Sequence, residues 1–94
     1  MNYITMIKMK PGCYNSKQLV EIDKVFISGS GPLQGYYKKE QIYDYLQINP
    51  RTILVNIPPY PCVIPDRSQR GEKYIRSSPN GNLFDNLLRL PREY

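Results

Sequence analysis

Nine prolines divide this chain of 94 residues into short segments. Their share is roughly twice the usual value of about 5%. Because proline has no N–H to donate and clashes inside a helix, prolines are disfavoured inside helices and central strands. The spacing of the prolines leaves room for one helix of any length. We therefore expect a single small domain over residues 1–94, since a chain this short supports only one hydrophobic core.

Four segments have the alternation and the β-branched or aromatic content that are typical of strands. They are residues 3–9, 19–28, 52–57 and 72–77, with a shorter edge segment at 62–64. The loop between the first two predicts an antiparallel hairpin. The alternation in the second strand slips near Lys24 and Val25, which predicts a bulge there or burial on both faces.

Residues 38–47 form the best candidate helix, because Ile42, Tyr45 and Leu46 recur at helical spacing. Asn49 ends it, since the residue before a proline is disfavoured in the α conformation. No Ser, Thr, Asp or Asn stands at its start, where Tyr36 and Tyr37 occur instead.

A second apolar stripe predicts a short helical turn near the C-terminus. Asn80–Gly81 marks a turn before it, Asn82 is its expected cap, and its apolar residues are Leu83, Phe84, Leu87 and Leu88. The predicted fold is α+β: an antiparallel sheet of about four strands in the order ββαββ, with one helix packed on it and this short turn at the end.

The absence of histidine argues against an enzyme. No ordinary general base near neutral pH exists, and neither a Cys-His pair nor a Ser-His-Asp triad can form. The acidic pairs Glu21/Asp23 and Glu40/Asp44 are interpreted as solvated charges. We predict a protein that is not an enzyme and has no cofactor.

Cys13 and Cys62 match no metal-ligand spacing, and without histidine a zinc site would need four thiolates. The N-terminus lacks the pattern of a secretory signal, and no stretch approaches the ~20 apolar residues of a membrane span. The sequence therefore predicts a cytoplasmic protein, in the host cytoplasm if it is viral, with free thiols and no membrane contact. A disulfide between the two cysteines stays an open alternative.

Two stretches mix basic and aromatic side chains, which suits surfaces that bind phosphates and stack bases. The candidate ligand- or partner-binding residues are Arg67, Arg70, Lys73, Tyr74 and Arg76 in one stretch, and Tyr36, Tyr37, Lys38 and Lys39 in the other. For Tyr74 and Arg76 we favour a structural role, in which Arg76 pairs with Asp85 and pins the tail to the sheet. For Arg67 and Arg70, a ligand role and plain solvation have equal weight.

The tail resembles a family signature. Tyr74-Ile75-Arg76-Ser77-Ser78-Pro79-Asn80 and Asp85-Asn86-Leu87, followed by Leu90-Pro91, resemble the pattern Tyr-Leu-Arg-Thr-x-Pro-Asn … Asp-Asn-Leu-x-x-Leu-Pro. This pattern belongs to small uncharacterised prokaryotic and viral proteins, the family called domain of unknown function 3892. The resemblance implies no catalytic residues. The chain differs from the family at Tyr37, where a Ser or Thr cap is usual, and in its longer connection over residues 58–69, where this member is expected to be specialised.

The net charge of +5 favours an anionic partner, although a surplus of this size can serve solubility alone. The leading hypothesis is a small binding protein, an accessory of a phage or mobile element with an anti-defence role. It would bind a phosphorylated nucleotide or an acidic host protein stoichiometrically. Because the predicted core is thin, we expect a homodimer. One alternative is a nucleic-acid-binding module, and another is a protein-interaction domain that docks through the proline-rich segment 58–65.

Overall fold

A computed structural model of the chain describes residues 2–29, 33–78 and 85–93. Within them the elements are, in chain order, β1 (Asn2–Met9), a 3-10 helix (Leu19–Glu21), β2 (Ile22–Gly29), β3 (Gly35–Lys38), α1 (Lys39–Ile48), β4 (Ile53–Val55), β5 (Val63–Arg67), β6 (Lys73–Ser77), a second 3-10 helix (Asn86–Arg89) and β7 (Arg92–Glu93). One helix and a set of mostly antiparallel strands confirm the predicted α+β class.

The main sheet has the order β3-β2-β1-β4, and β7 also pairs with β1. β2 is antiparallel to both β1 and β3, as the predicted hairpin requires, whereas β4 and β7 run parallel to β1. β5 and β6 form a second, antiparallel pair, which a bridge between Leu54 and Cys62 joins to β4. The strands thus form two adjoining sheets, not one.

The sequence prediction omits β3 and β7. β3 has four residues and leads directly into α1, so its alternation is too short to be told from the start of the helix. β7 has two residues, and its pairing with Ile7 and Lys8 of β1 defines it as a strand. β4 is shorter than the predicted segment 52–57, because the chain leaves the ladder ahead of the prolines that follow.

Two irregularities in the β1–β2 pairing decide which side chains face the core. Ile4 pairs with Ile27, but the next pair is Met6 with Phe26, so Thr5 is an extra residue. This bulge allows Ile4 and Ile7 to face the same side although they are three positions apart. A second shift, after the pair Lys8–Lys24, leaves Asp23 unpaired, next to the position where the sequence predicted a bulge.

The core lies against one face of the main sheet. Fully buried aliphatic side chains from the main sheet, α1 and β6 form it together; among them are Ile4, Ile7, Val25, Ile27, Ile42, Ile53, Val55 and Ile75. Tyr37 packs against this core from β3. The side chains that alternate with these residues along β1, β2 and β3 therefore lie on the opposite face.

Helix α1 begins one residue later than predicted. The Lys38 N–H donates to Oε1 of Gln41 at 2.9 Å, so a side chain inside the first turn satisfies a donor at the helix start. No helix in the described part of the chain is both long and apolar enough to cross a bilayer.

Asp85 fastens the C-terminal turn to β6. Its carboxylate accepts the Ser77 N–H and the Leu87 N–H, each at 2.9 Å, and the second bond caps the 3-10 helix. The predicted ion pair between Arg76 and Asp85 is wrong, because Arg76 binds Asp66 across the β5–β6 hairpin at 2.9 Å. The turn at Asn80–Gly81, the cap Asn82 and the apolar Leu83 and Phe84 lie outside the described residues.

We expect Asp85→Ala to lower the free energy of unfolding by about 1.5 kcal/mol, since two backbone donors lose their acceptor. Arg76→Ala should cost less than about 1 kcal/mol, because its pair with Asp66 is solvated. Urea denaturation of both variants measures the difference. A larger loss for Arg76→Ala would contradict this attachment of the tail.

Candidate functional site

The β5–β6 hairpin carries the first basic and aromatic stretch, residues 67–76, and places its side chains on two opposite faces. Arg67 and Lys73 pair across the strands and lie on the side of α1. The Nε of Arg67 donates to the Tyr43 hydroxyl at 2.8 Å, and the ammonium of Lys73 lies 2.9 Å from the Asp44 carboxylate. The Lys73 ammonium also lies 5.3 Å from the centre of the Tyr43 ring. These two cations therefore hold the hairpin against the helix.

Tyr74 and Arg76 lie on the opposite side of the hairpin, and both bind the Asp66 carboxylate, at 3.3 and 2.9 Å. The pKa of Asp66 is lowered, first by the Arg67 backbone N–H and then by Arg76. Burial, followed by the Asp66 charge, raises the pKa of Tyr74. Tyr74 and Arg76 thus contact Asp66 within the hairpin and not the tail, and their part in binding stays a prediction from the sequence. Arg70 lies exposed in the loop between the strands.

Lys39 is buried, although the sequence placed it among the binding residues. Its side chain is 1% exposed, and its ammonium lies 2.6 Å from the Glu72 carboxylate and also donates to the Val20 carbonyl. Lys10 binds the same carboxylate at 2.7 Å. Hydrogen bonds from Lys10 and Lys39 lower the pKa of Glu72 to about 2. We call Lys10, Lys39 and Glu72 the Glu72 cluster, which joins the main sheet, α1 and the start of β6.

Tyr36 and Lys38 of the second stretch do reach solvent. Tyr36 is 40% exposed, whereas Tyr37, its neighbour, packs against the core. The alternation of β3 separates these residues: Tyr36 and Lys38 lie on the face of the main sheet that points away from the core.

Three lysines lie side by side on that face. Lys8 of β1 pairs with Lys24 of β2, and Lys24 pairs with Lys38 of β3. Directly paired residues have Cβ atoms only about 5 Å apart. No ion pair among residues 2–29, 33–78 and 85–93 involves any of the three. We call this set the lysine row.

A parallel row of apolar side chains lies two residues further along the strands. Met6 pairs with Phe26, and Phe26 pairs with Tyr36. The Phe26 and Tyr36 rings meet edge to face with centres 5.0 Å apart, and the Tyr36 hydroxyl contacts the Met6 sulfur at 3.5 Å. We call this set the apolar row, and the face that carries both rows the open face.

Tyr3 continues the open face beyond the apolar row. It pairs with Ser28, and its ring meets that of Tyr60 edge to face, with centres 6.0 Å apart. Tyr60 is 46% exposed and comes from the proline-rich connection. Along the strands the open face therefore presents Tyr3 and Tyr60, then the apolar row, then the lysine row, each step covering about 7 Å.

Sequence reasoning missed Lys8, Lys24, Met6 and Phe26. Each occupies a polar or outward position of a predicted strand, but the two rows appear only when β1, β2 and β3 are aligned in register. The bulges at Thr5 and Asp23 shift that register, so simple alternation does not reveal it. Of the two rows, only the pairing of Lys8 with Lys24 could have been predicted, because the predicted hairpin brings their two strands together.

Comparison with known proteins gives a family and no function. A family model described as protein of unknown function (DUF3892) matches residues 4–91, a range that includes both rows of the open face. No curated protein and no solved structure matches the chain.

Proposed function

We propose that this chain, which belongs to the DUF3892 family of proteins of unknown function, binds single-stranded nucleic acid on the open face of its main sheet. The lysine row would hold phosphates, and the apolar row would stack bases. The observation that carries the proposal is the alignment of Lys8, Lys24 and Lys38 on neighbouring strands. The proposed function is binding, with no catalytic step.

The lysine row lowers the stability of the protein when no ligand is bound. Like charges placed directly opposite each other in a sheet destabilise it by up to about 1 kcal/mol per pair. The row contains two such pairs, Lys8–Lys24 and Lys24–Lys38, and Glu93, which pairs with Lys8 on its other side, offsets only part of the repulsion. A polyanion on the row would relieve the repulsion and release its own counterions. This cost in the free protein supports a role in binding.

The apolar row favours a single strand over a duplex. Exposed rings can stack on a base only if that base is not already stacked in a helix, as in single-stranded loops and ends. Phe26 and Tyr36 offer such ring surface beside the cations, and Tyr3 and Tyr60 offer more at the far side. The major groove of a duplex admits a helix or a two-stranded ribbon, whereas the open face extends over the three strands β1, β2 and β3.

The phosphorylated nucleotide that the sequence predicts as a ligand would use the same two interactions, phosphate binding by lysine and base stacking on a ring, in a smaller molecule. It would occupy part of the open face and bind more weakly than a strand that spans all three lysines. The phage or anti-defence role, the acidic host partner, the homodimer, the cytoplasmic location and docking through segment 58–65 stay predictions from the sequence.

Fluorescence anisotropy with a labelled uridine decamer tests the proposal. If three phosphates are neutralised, the logarithm of the association constant should fall with the logarithm of salt concentration with a slope of about −2. A mononucleotide panel, added as competitor, tests the narrower ligand. No anisotropy change at 50 mM salt, with a folded protein, would exclude the proposal.

Tyr36→Ala should weaken binding about tenfold, since stacking of one base contributes about 1–3 kcal/mol. Tyr36→Phe keeps the ring and should bind within about twofold of the unaltered protein. Ile48→Ala is the control, because Ile48 is 81% exposed at the end of α1, away from the open face. Equal affinities for Tyr36→Ala and Ile48→Ala would rule out stacking on this ring.

A further inference from the structure

A cleft of about 460 Å3 continues the lysine row beyond Lys8. Its charged lining residues are Lys8, Lys10, Lys24, Asp23 and Glu93, and the Lys10 ammonium is already bound to the Glu72 carboxylate at 2.7 Å. Glu93 pairs with Lys8 from β7, on the edge of β1 opposite Lys24. Across the sheet the lysine row is therefore followed by an acidic residue: the order is Lys38, Lys24, Lys8 and then Glu93. We call this space the acidic cleft.

Asp23 reaches the acidic cleft because it is the extra residue of the second bulge. Lys24 pairs with Lys8 and Ile22 pairs with Met9, so Asp23 has no partner on β1. A bulge redirects its side chain relative to regular alternation. Neither Asp23 nor Glu93 takes part in an ion pair within the described residues. Both carboxylates are thus available as hydrogen-bond acceptors next to the proposed phosphate positions.

Carboxylates at this point restrict what the ligand can place there. An ionised carboxylate only accepts hydrogen bonds, and it repels a phosphate. A nucleic-acid strand whose phosphates lie along the lysine row must therefore place a hydrogen-bond donor next to Asp23 and Glu93. The sugar that follows a phosphate in RNA carries a 2′-hydroxyl, which can donate, whereas the sugar of DNA lacks this group.

We infer that the open face selects RNA over DNA, with a ribose 2′-hydroxyl donating to Asp23 or Glu93 in the acidic cleft. The inference rests on the proposed binding of single strands and adds the sugar to it. One hydrogen bond from a hydroxyl to a charged acceptor corresponds to a preference of at least about 10-fold.

Three decamers with the same base test the inference: uridine RNA, deoxyuridine DNA and 2′-O-methyl uridine RNA. We expect the RNA to bind at least about 10-fold more tightly than either of the others, because the DNA sugar lacks the 2′-hydroxyl and the methylated sugar has lost its donor hydrogen. Equal affinity for RNA and DNA, or full affinity for the methylated strand, would overturn the inference and leave the proposed function intact. Binding of none of them would refute the proposed function itself.

The variant Asp23→Asn/Glu93→Gln provides the matched test on the protein. Removing two negative charges should strengthen DNA binding through weaker repulsion, while the RNA loses its charge-assisted bond. The ratio of the two affinities should fall to about 2 or below. An unchanged ratio would assign the sugar preference to another part of the protein. Asp44→Asn/Glu40→Gln removes the same charge from α1 and should leave the ratio unaltered.

Discussion

Glu72→Ala is expected to lower the free energy of unfolding by about 3 kcal/mol. It leaves the buried Lys39 ammonium with the Val20 carbonyl as hydrogen-bond acceptor and the Glu40 carboxylate 3.9 Å away. Removing one partner of a buried ion pair typically costs about 3–5 kcal/mol, because the other charge stays desolvated. The lower end applies here, since the Glu72 side chain is 37% exposed and water can partly replace it.

Lys39→Met should cost far less, within about 1 kcal/mol. Methionine fills a similar volume without a charge, and exchange of a buried ion for an apolar group is often close to neutral. Glu72 would still bind Lys10 at 2.7 Å. Urea denaturation of the two variants side by side measures this asymmetry. Equal losses of unfolding free energy in the two variants would show that the buried Lys39 ammonium does not depend on Glu72 as its partner.

The Glu72 cluster also predicts the acid dependence of stability. The folded pKa of Glu72 is about 2, below its ordinary value near 4.5. Its contribution is therefore complete above about pH 4.5 and is lost as the pH falls towards 2. In Glu72→Gln this part of the acid destabilisation should be absent, so the variant should lose less stability than the unaltered protein between pH 5 and pH 2. Parallel curves for the two proteins would contradict the prediction.

The triple substitution Lys8→Gln/Lys24→Gln/Lys38→Gln is expected to reduce affinity for a single strand roughly 100-fold at 50 mM salt, if each ammonium contributes about 1 kcal/mol. The salt slope should fall from about −2 to near zero. The free energy of unfolding should stay the same or rise by about 1 kcal/mol, because two repulsive pairs disappear. Binding and stability thus move in opposite directions.

A control with the same net charge separates this effect from general electrostatics. Arg51, Arg70 and Arg89 are exposed and lie outside both rows, and their joint replacement by glutamine removes three charges elsewhere. Affinity should fall only a few-fold. If the control weakens binding as much as the triple lysine variant, the lysine row has no special role, and Arg70 of the first predicted cluster becomes the better candidate.

Most of the fold can be predicted from the sequence where an element is long and periodic. β1 and β6 begin within one residue of their predicted starts, and α1 is displaced by one residue from its prediction. β3 and β7 could not be predicted, because neither is long enough for its period to be recognised. Their existence depends on edges of β2 and β1 that are defined only in the assembled sheet.

The candidate site is less accessible to sequence reasoning, because composition does not say which cations are already paired. Arg67, Lys73 and Arg76 are basic, but each binds a residue far away in sequence or across a hairpin: Tyr43, Asp44 or Asp66. Lys39 follows Lys38 directly, yet the start of the helix turns it inward. Lys8, Lys24 and Lys38, which form no ion pair within the described residues, come from three separate strands, and only tertiary register unites them.

The most direct test of the central claim is an NMR titration of the isotope-labelled protein with the uridine decamer. The account predicts that the amide signals with the largest changes belong to β1, β2 and β3, centred on Met6, Lys8, Lys24, Phe26 and Tyr36. Changes confined to the β5–β6 hairpin and its Arg70 loop, or no changes at all, would contradict binding on the open face.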